Sequence, residues 1–405
     1  MTAGSVMAAE LAEQPEVLAR LVRRHVADRD QVAAALPGRP GSGALAGTVL
    51  LARGSSDNVA VYGRYLIELA ARRPAGLAAP SIHTRYEADV DYSGYLAVAL
   101  SQSGATPEIV ETAARMRRSG AVVVGITNEA GSPLTQVSNL TLLTDAGPEL
   151  AVPATKTVTA QMLVVAAIAA ACDPSLVTVA DLEALPGAVA SVVADPAPAE
   201  EVAARWPQAR RLVVTGRGLA YAAALETALK IKETARVHAE GLSSADLGVG
   251  GAAGSGPAAV LAARWADARR LVITGRGLAY AAALETALKI KESARVHAEG
   301  LSSADLLHGP IAALDSRLPV LVVSGGERFA ADEAALAARL AAERVPYAVC
   351  GPADGAGLPL PAGVPEVTAP ILATIRGQQL ALASALLRGL DPDAPAGLSK
   401  VTATH

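Results

Sequence analysis

Residues 95–100, YLAVAL, run without a break into SQSGATPE and then into a helical pattern over 107–118. A run this apolar is a strand buried on both faces, because a strand with one solvated face alternates apolar and polar residues. The turn after it supplies small hydroxyl residues and a glycine, and Pro107 suits a first helical turn, where its missing N–H costs no bond. Residues 48–52 enter Arg53, Gly54, Ser55, Ser56 and Asp57 in the same way, ahead of a helical pattern over 59–71. Further aliphatic runs at 122–127, 140–143, 318–324 and 347–350 alternate with amphipathic stretches. Such alternation points to an α/β fold with parallel sheets, since parallel strands need helical crossovers that cover both sheet faces.

At 405 residues the chain exceeds one ordinary core. The plan of 45–175 recurs over 262–390, so two doubly wound parallel-sheet units are expected. Residues 1–44 read as a helical arm and a Pro/Gly-rich linker, 176–202 as a connector with a helix over 179–193, and 391–405 as a polar tail. A helix over 370–387 closes the second unit.

One stretch occurs twice. Residues 203–247 match 262–306 at a constant offset, and only Pro207/Ala266, Gln208/Asp267, Val214/Ile273 and Thr234/Ser293 differ. After Leu247 the first copy enters GVGGAAGSG, whereas the second continues into Leu307, His308, Gly309 and Pro310. Two units are too few to stack as a solenoid. The expectation is therefore that the complete second copy sits in the sheet and that 203–261 is a peripheral insertion.

Composition excludes several functions. A net charge of −4 without a basic block leaves no footprint for nucleic acid, and 3% aromatic residues leave no base-stacking platform. Cys172 and Cys350 follow no metal-ligand spacing and read as buried thiols at element ends. The N-terminus lacks a basic region followed by an apolar core, and the apolar run 157–172 is short of a membrane span. A cytoplasmic protein with no metal, no organic cofactor and no membrane partner is expected.

Ser101, Gln102, Ser103, Gly104 and Thr106 lie between a strand end and a helix N-terminus, where unpaired N–H groups and the helix dipole favour an anion. An ordinary cap needs one hydroxyl, whereas this turn has three. Gly54, Ser55 and Ser56 stand at the equivalent end of another strand. There is no GxxxxGK[ST], and Gly275-Arg276-Gly277 lacks the third glycine of a dinucleotide turn, so a phosphomonoester fits better than a nucleotide. Glu285, Lys289 and Glu292 fall on one helical stripe. On a solvated face they would be an ordinary charge ladder. On a helix that covers a sheet and is followed by His308 they form a candidate acid–base site.

Taken together, GSS at 54–56, SQSGAT at 101–106, TK at 155–156, ALETALKIKE at 283–292, HGP at 308–310 and LSKVT at 398–402 resemble sugar isomerase (SIS) domain proteins. The resemblance is nearest to the isomerase half of glucosamine-6-phosphate synthase and to stand-alone relatives that include glucosamine-6-phosphate deaminases. It implies two flavodoxin-like SIS subdomains, a phosphorylated amino sugar as substrate and a homodimer. Ser56, Ser101, Gln102, Ser103 and Thr106 would hold the phosphate, with Val152 and Glu285 also at the substrate. Glu292 would be the base that moves a proton between C1 and C2, His308 would assist ring opening, Lys289 would sit beside them, and Lys400 in the tail would approach the sugar carbonyl. The implied reaction converts glucosamine 6-phosphate to fructose 6-phosphate and ammonia, with isomerisation or deamination of another phosphorylated amino sugar, or sugar-phosphate binding without catalysis, as the alternatives. The chain departs from the synthase pattern in having no N-terminal cysteine or glutaminase domain before its first unit, and in Ala154 where a serine often stands. It also departs in its duplication, whose first copy carries Glu226, Lys230 and Glu233 without a histidine at the matching distance.

Overall fold

The computed structural model describes residues 2–27, 29–37, 45–206, 209, 211–216, 218–235, 237–243, 320–324, 327, 330–344, 346–352, 357–387 and 389–393. The first sheet contains β1 (Gly47–Leu51), β2 (Ala75–Leu77), β3 (Tyr95–Leu100), β4 (Val122–Thr127) and β5 (Leu140–Leu143). Its order is β2-β1-β3-β4-β5, and every pairing is parallel. The second sheet contains β6 (Arg211–Gly216), β7 (His238–Ser243), β8 (Val320–Val323), β9 (Tyr347–Gly351) and β10 (Leu358–Pro359). Read from β7, its order β7-β6-β8-β9-β10 is that of the first sheet, again all parallel. This is the doubly wound order in which the first and third strands flank the point where the winding reverses, and ligands bind beyond the carboxyl ends of those strands.

Between β1 and β2 runs α3 (Ser55–Ala71); α4 (Ser81–Thr84) follows β2, α5 (Pro107–Arg118) follows β3 and α6 (Pro133–Val137) follows β4. The units are joined by α7 (Lys156–Cys172), α8 (Val179–Val193) and α9 (Ala197–Arg205). In the second unit α10 (Ala220–Ala235) follows β6, α11 (Ala330–Ala342) precedes β9, and α12 (Ala369–Leu387) is the last helix among the described residues. Helices α7 and α12 are buried along most of their length, and their buried polar groups such as Gln378 and Arg376 find partners on neighbouring elements, which suits helices held between other layers. Close packing here depends on small residues. A Cβ at Gly63 would lie 2.6 Å from Leu50 and 3.0 Å from Val165, so α3 presses between β1 and α7. A Cβ at Gly377 of α12 would lie 1.9 Å from the Thr227 hydroxyl of α10.

Two features differ from expectation. The N-terminal helix α1 (Ser5–Ala27), followed by α2 (Arg29–Ala35), is no free arm. Leu11, Val17, Leu18, Leu21 and Val22 are buried, and α1 packs on α7 and α8. Its buried Gln14 donates to Gln378 Oε1 (3.0 Å) and accepts from the Thr159 hydroxyl (2.7 Å), which ties α1 to α12 and α7. An apolar stripe of this length has to be covered, and the neighbouring long helices supply the cover.

The second difference concerns the duplication. The first copy, expected as an insertion, supplies β6, α10 and β7 of the second sheet. β6 pairs on both sides, with β7 and β8, and Val214 in its centre is fully buried. The four differences between the copies cannot choose between them, and α9 ends only a few residues before β6, so the first copy reaches the sheet by a short connection. The second copy lies outside the described residues. Cys172 ends α7 half-buried and Cys350 is buried in β9; both are free, and burial pushes their thiols up to about 11 and about 12.

Candidate functional site

The turns after β1 and β3 meet at the reversal point of the first sheet. Gly104 adopts φ +59°, and a Cβ there would lie 2.1 Å from Ser132 Oγ and 2.7 Å from Thr127 Oγ1, so only glycine fits. The turn is braced from below, where Gln102 O accepts from the Asn128 N–H (2.9 Å) and the Thr127 hydroxyl (3.1 Å), and Gly104 O accepts from the Leu134 N–H (2.9 Å). Ser101 and Thr106 hydroxyls lie 3.2 Å apart, and Ser103 Oγ accepts from the Ala105 N–H (3.3 Å). Neither helix start is capped by the side chain at its N-cap, Thr106 for α5 and Gly54 for α3. Arg53 Nε donates to Glu108 Oε2 (3.0 Å), which bridges the two turns. The result is two helix N-termini at the sheet's reversal point, α3 opening with Ser55 and Ser56 and α5 preceded by Ser101, Ser103 and Thr106, a geometry that suits a phosphate in the crevice expected there.

Packed against α3 stands the ladder on α10. Glu226 and Lys230 are fully buried and Glu233 is half-buried. Lys230 Nζ donates to Glu233 Oε2 (2.5 Å) and lies 3.5 Å from Glu226 Oε1, an ion-pair distance without a hydrogen bond. Asn58, in the first turns of α3, reaches over and donates from Nδ2 to Glu226 Oε2 (2.8 Å). Burial pushes Glu226 up to about 7, although Lys230 and Asn58 pull it down. For Lys230 burial works downward, but Glu233 and Glu226 outweigh it and hold the ammonium above its ordinary range.

The loop before α7 closes a third side. Glu149 Oε1 accepts from the Thr155 N–H (2.7 Å) and Thr157 N–H (3.2 Å), and its Oε2 accepts from the Thr157 hydroxyl (2.6 Å). Glu149 also adds to the field at Lys230. Glu10 of α1 accepts from the Leu150 and Ala151 N–H groups, and Lys156 Nζ donates to Glu13 (2.6 Å). The last described residues join here. The Asp393 carboxylate caps α1 by accepting from the Val6 (3.1 Å) and Met7 (2.8 Å) N–H groups, and Asp393 O accepts from the Val152 N–H (3.3 Å).

The SIS domain model matches residues 48–171 and 265–354, just over half of the chain. The chain belongs to the SIS domain family. The second SIS match runs through the second copy, whereas the structure seats the near-identical first copy. The isomerizing glutamine–fructose-6-phosphate aminotransferase of Pyrococcus horikoshii is 30% identical over 404 residues, covering 97% of this chain and 57% of the relative. The SIS chain thus spans little more than half the length of that relative. A Silicibacter pomeroyi protein assigned as a phosphosugar isomerase has a solved structure with a TM-score of 0.71 at 28% identity, covering 96% of this chain and 99% of that one. A glucosamine-6-phosphate deaminase from Thermotoga maritima shares the fold, with a TM-score of 0.68 at 18% identity over 98% of this chain and 99% of that one.

Of the residues expected in an SIS site, Ser56, Ser101, Gln102, Ser103 and Thr106 fall in the two turns of the crevice, and Val152 falls in the loop tied to Asp393. Glu285, Lys289, Glu292, His308 and Lys400 lie outside the described residues. Sequence reasoning missed Asn58 and Glu149. Neither belongs to a motif, and Asn58 meets a partner 168 positions away.

Proposed function

We propose that this SIS chain is a sugar-phosphate isomerase acting on a phosphorylated hexosamine, converting glucosamine 6-phosphate reversibly to fructose 6-phosphate and ammonia. The observation that carries the reading is the buried Glu226–Lys230–Glu233 ladder, joined through Asn58 to the helix whose first turn lines the anion crevice. In this reading Ser56, Ser101, Gln102, Ser103 and Thr106 hold the 6-phosphate. Glu233 takes the place expected of Glu292 and moves the proton between C1 and C2 through an enediol or enolamine. Lys230 stabilises its carboxylate, and positioned acid–base groups of this kind contribute about 10²–10⁴-fold.

Likeness to the aminotransferase and the deaminase supports the substrate class. The clasp of Asp393 on Val152 supports an approach of the tail carrying Lys400 to the sugar carbonyl. His308 would complete the site from a second copy of the chain, in a homodimer. Phosphorylated sugars are cytoplasmic metabolites, and that location goes with the reading. The test is to incubate the purified chain with glucosamine 6-phosphate and measure ammonia and fructose 6-phosphate; absence of both products sinks the assignment. A sugar-phosphate-binding regulator is the second reading, favoured because the seated copy runs into Gly248 and not into a His-Gly-Pro turn. Such a protein would gain thermal stability with the sugar phosphate without consuming it.

A further inference from the structure

The crevice and the ladder belong to different units, and one side chain joins them. Asn58 sits in α3 two residues beyond Ser56, and its amide nitrogen donates to Glu226 Oε2 at 2.8 Å. Glu226 Oε1 is buried without a hydrogen-bond partner, 3.5 Å from Lys230, which in turn donates to Glu233. A buried carboxyl held at one oxygen by an uncharged amide, and at the other by an ammonium shared with a second carboxylate, is poised to change its charge when the local field changes.

We infer that Asn58 is a positioning residue that couples an anion in the crevice of the first unit to the protonation of Glu226, and through it to the pairing of Lys230 with Glu233, in the second. The inference rests on the reading of residues 54–56 and 101–106 as an anion site. A dianion at the N-terminus of α3 opposes negative charge on Glu226, and buried charges are weakly screened. Anion binding therefore draws a proton onto Glu226. With Glu226 neutral, Lys230 pairs with Glu233 alone. By linkage, anion affinity falls as Glu226 ionises. Among the described residues, the groups facing Glu226 are Lys230 and Glu233 from its own helix, Asn58 from α3, and Glu149 from the loop before α7 acting through Lys230. On α12, which packs against α10, the charged Arg376 is turned away and engaged by Asp195 and the Pro359 carbonyl.

Sulfate is the probe, because it stays dianionic across neutral pH whereas phosphate titrates. Calorimetric titration of the full chain with sulfate, in buffers of different ionisation enthalpy, reads the protons taken up. We expect a fractional proton uptake near pH 7, abolished in Glu226→Gln. In Asn58→Ala the carboxyl loses the donor that favours its charged form, so uptake shrinks at pH 7 and reappears at higher pH. The isosteric Asn58→Asp keeps the packing and should move uptake in the same direction, which guards against misfolding of the alanine variant. Sulfate that binds without proton uptake, or with uptake unchanged in Glu226→Gln, overturns the coupling while leaving the anion site intact. A chain that does not bind sulfate removes the anion site and the coupling together.

Discussion

Helices α3 and α10 each follow the first strand of their unit, and they pack against each other, yet they carry opposite chemistry. α3 opens with Gly54, Ser55 and Ser56 and has no side-chain cap on its N-terminus. α10 opens in alanines, which bury against neighbouring elements, and spends its polar residues further along as Glu226, Lys230 and Glu233. The strand order is the same in both units. A repeated fold thus presents the same strand ends twice, and the side chains placed there divide the work. In the proposed reading one unit holds the anion and the other moves the proton.

The largest test of this division separates the two functions by mutation. Glu233→Gln should lower turnover of glucosamine 6-phosphate about 10²–10⁴-fold, the range of a lost acid–base group, while sulfate affinity stays within a factor of two or so. Glu292→Gln, in the second copy, should leave turnover unchanged. The opposite pattern would mean that the second copy works in the sheet, and the comparison of α3 with α10 would then have to be redrawn around it. Steady-state kinetics alongside calorimetry give both readouts.

Lys230 is next in size. Removing one partner from a buried ionic group leaves uncompensated charge, which costs about 3–5 kcal/mol. Lys230→Met should lower the urea midpoint accordingly. The pH dependence is a companion test. The folded state keeps a proton on Glu226 up to about 7, whereas the unfolded chain gives it up near the ordinary value of 4.5. The folded state therefore binds more protons across that window, and this group makes stability fall as pH rises from about 4.5 to about 7. Glu226→Gln should flatten the decline when denaturation is compared at pH 5 and pH 8. An unchanged slope would show that Glu226 ionises normally.

The contact of α10 with α12 comes third. Gly377→Ala would place a methyl against the Thr227 hydroxyl, and overpacking of this kind costs about 1–3 kcal/mol. A thermal melt should show the loss. If Gly377→Ala melts with the parent chain, the two helices pack less closely than the structure has them.

Legibility in the sequence followed physical scale. The strands at 95–100, 122–127 and 140–143 could be read because buried parallel strands are continuous aliphatic runs, and β3, β4 and β5 have those bounds. β2 is three residues long and carries no pattern. The serine turns were legible because strand end, small residues and helix start are consecutive. The burial of α1 was not, because the partners of Glu10 and Gln14, the loop at Leu150 and Gln378, are more than a hundred positions away. Nor was the seating of the first copy, since Val214/Ile273 and Thr234/Ser293 are near-equal fits to one slot. Thr234 donates to Lys230 O and Ala381 O through a hydroxyl that a serine also has. What the sequence hides is contact between distant positions, and the Asn58–Glu226 bond is the clearest case.

The smallest predicted effect lies in the first unit. Glu108 occupies the first turn of α5, where its carboxylate competes with any anion for the helix N-terminus while pairing with Arg53 across the crevice mouth. The pair is partly exposed, so its contribution to stability is within about 1 kcal/mol and fades in salt. Glu108→Gln should therefore leave the melting temperature nearly unchanged. It removes a negative charge beside the anion and frees the Arg53 guanidinium to turn toward it, so sulfate should bind a few-fold more tightly at low ionic strength, with the gain lost at high salt. Arg53→Ala should act in the opposite direction. If both variants weaken sulfate binding equally, the bridge serves to hold the two turns together, and the first unit owes its anion preference to turn geometry and not to the balance of charge at its mouth.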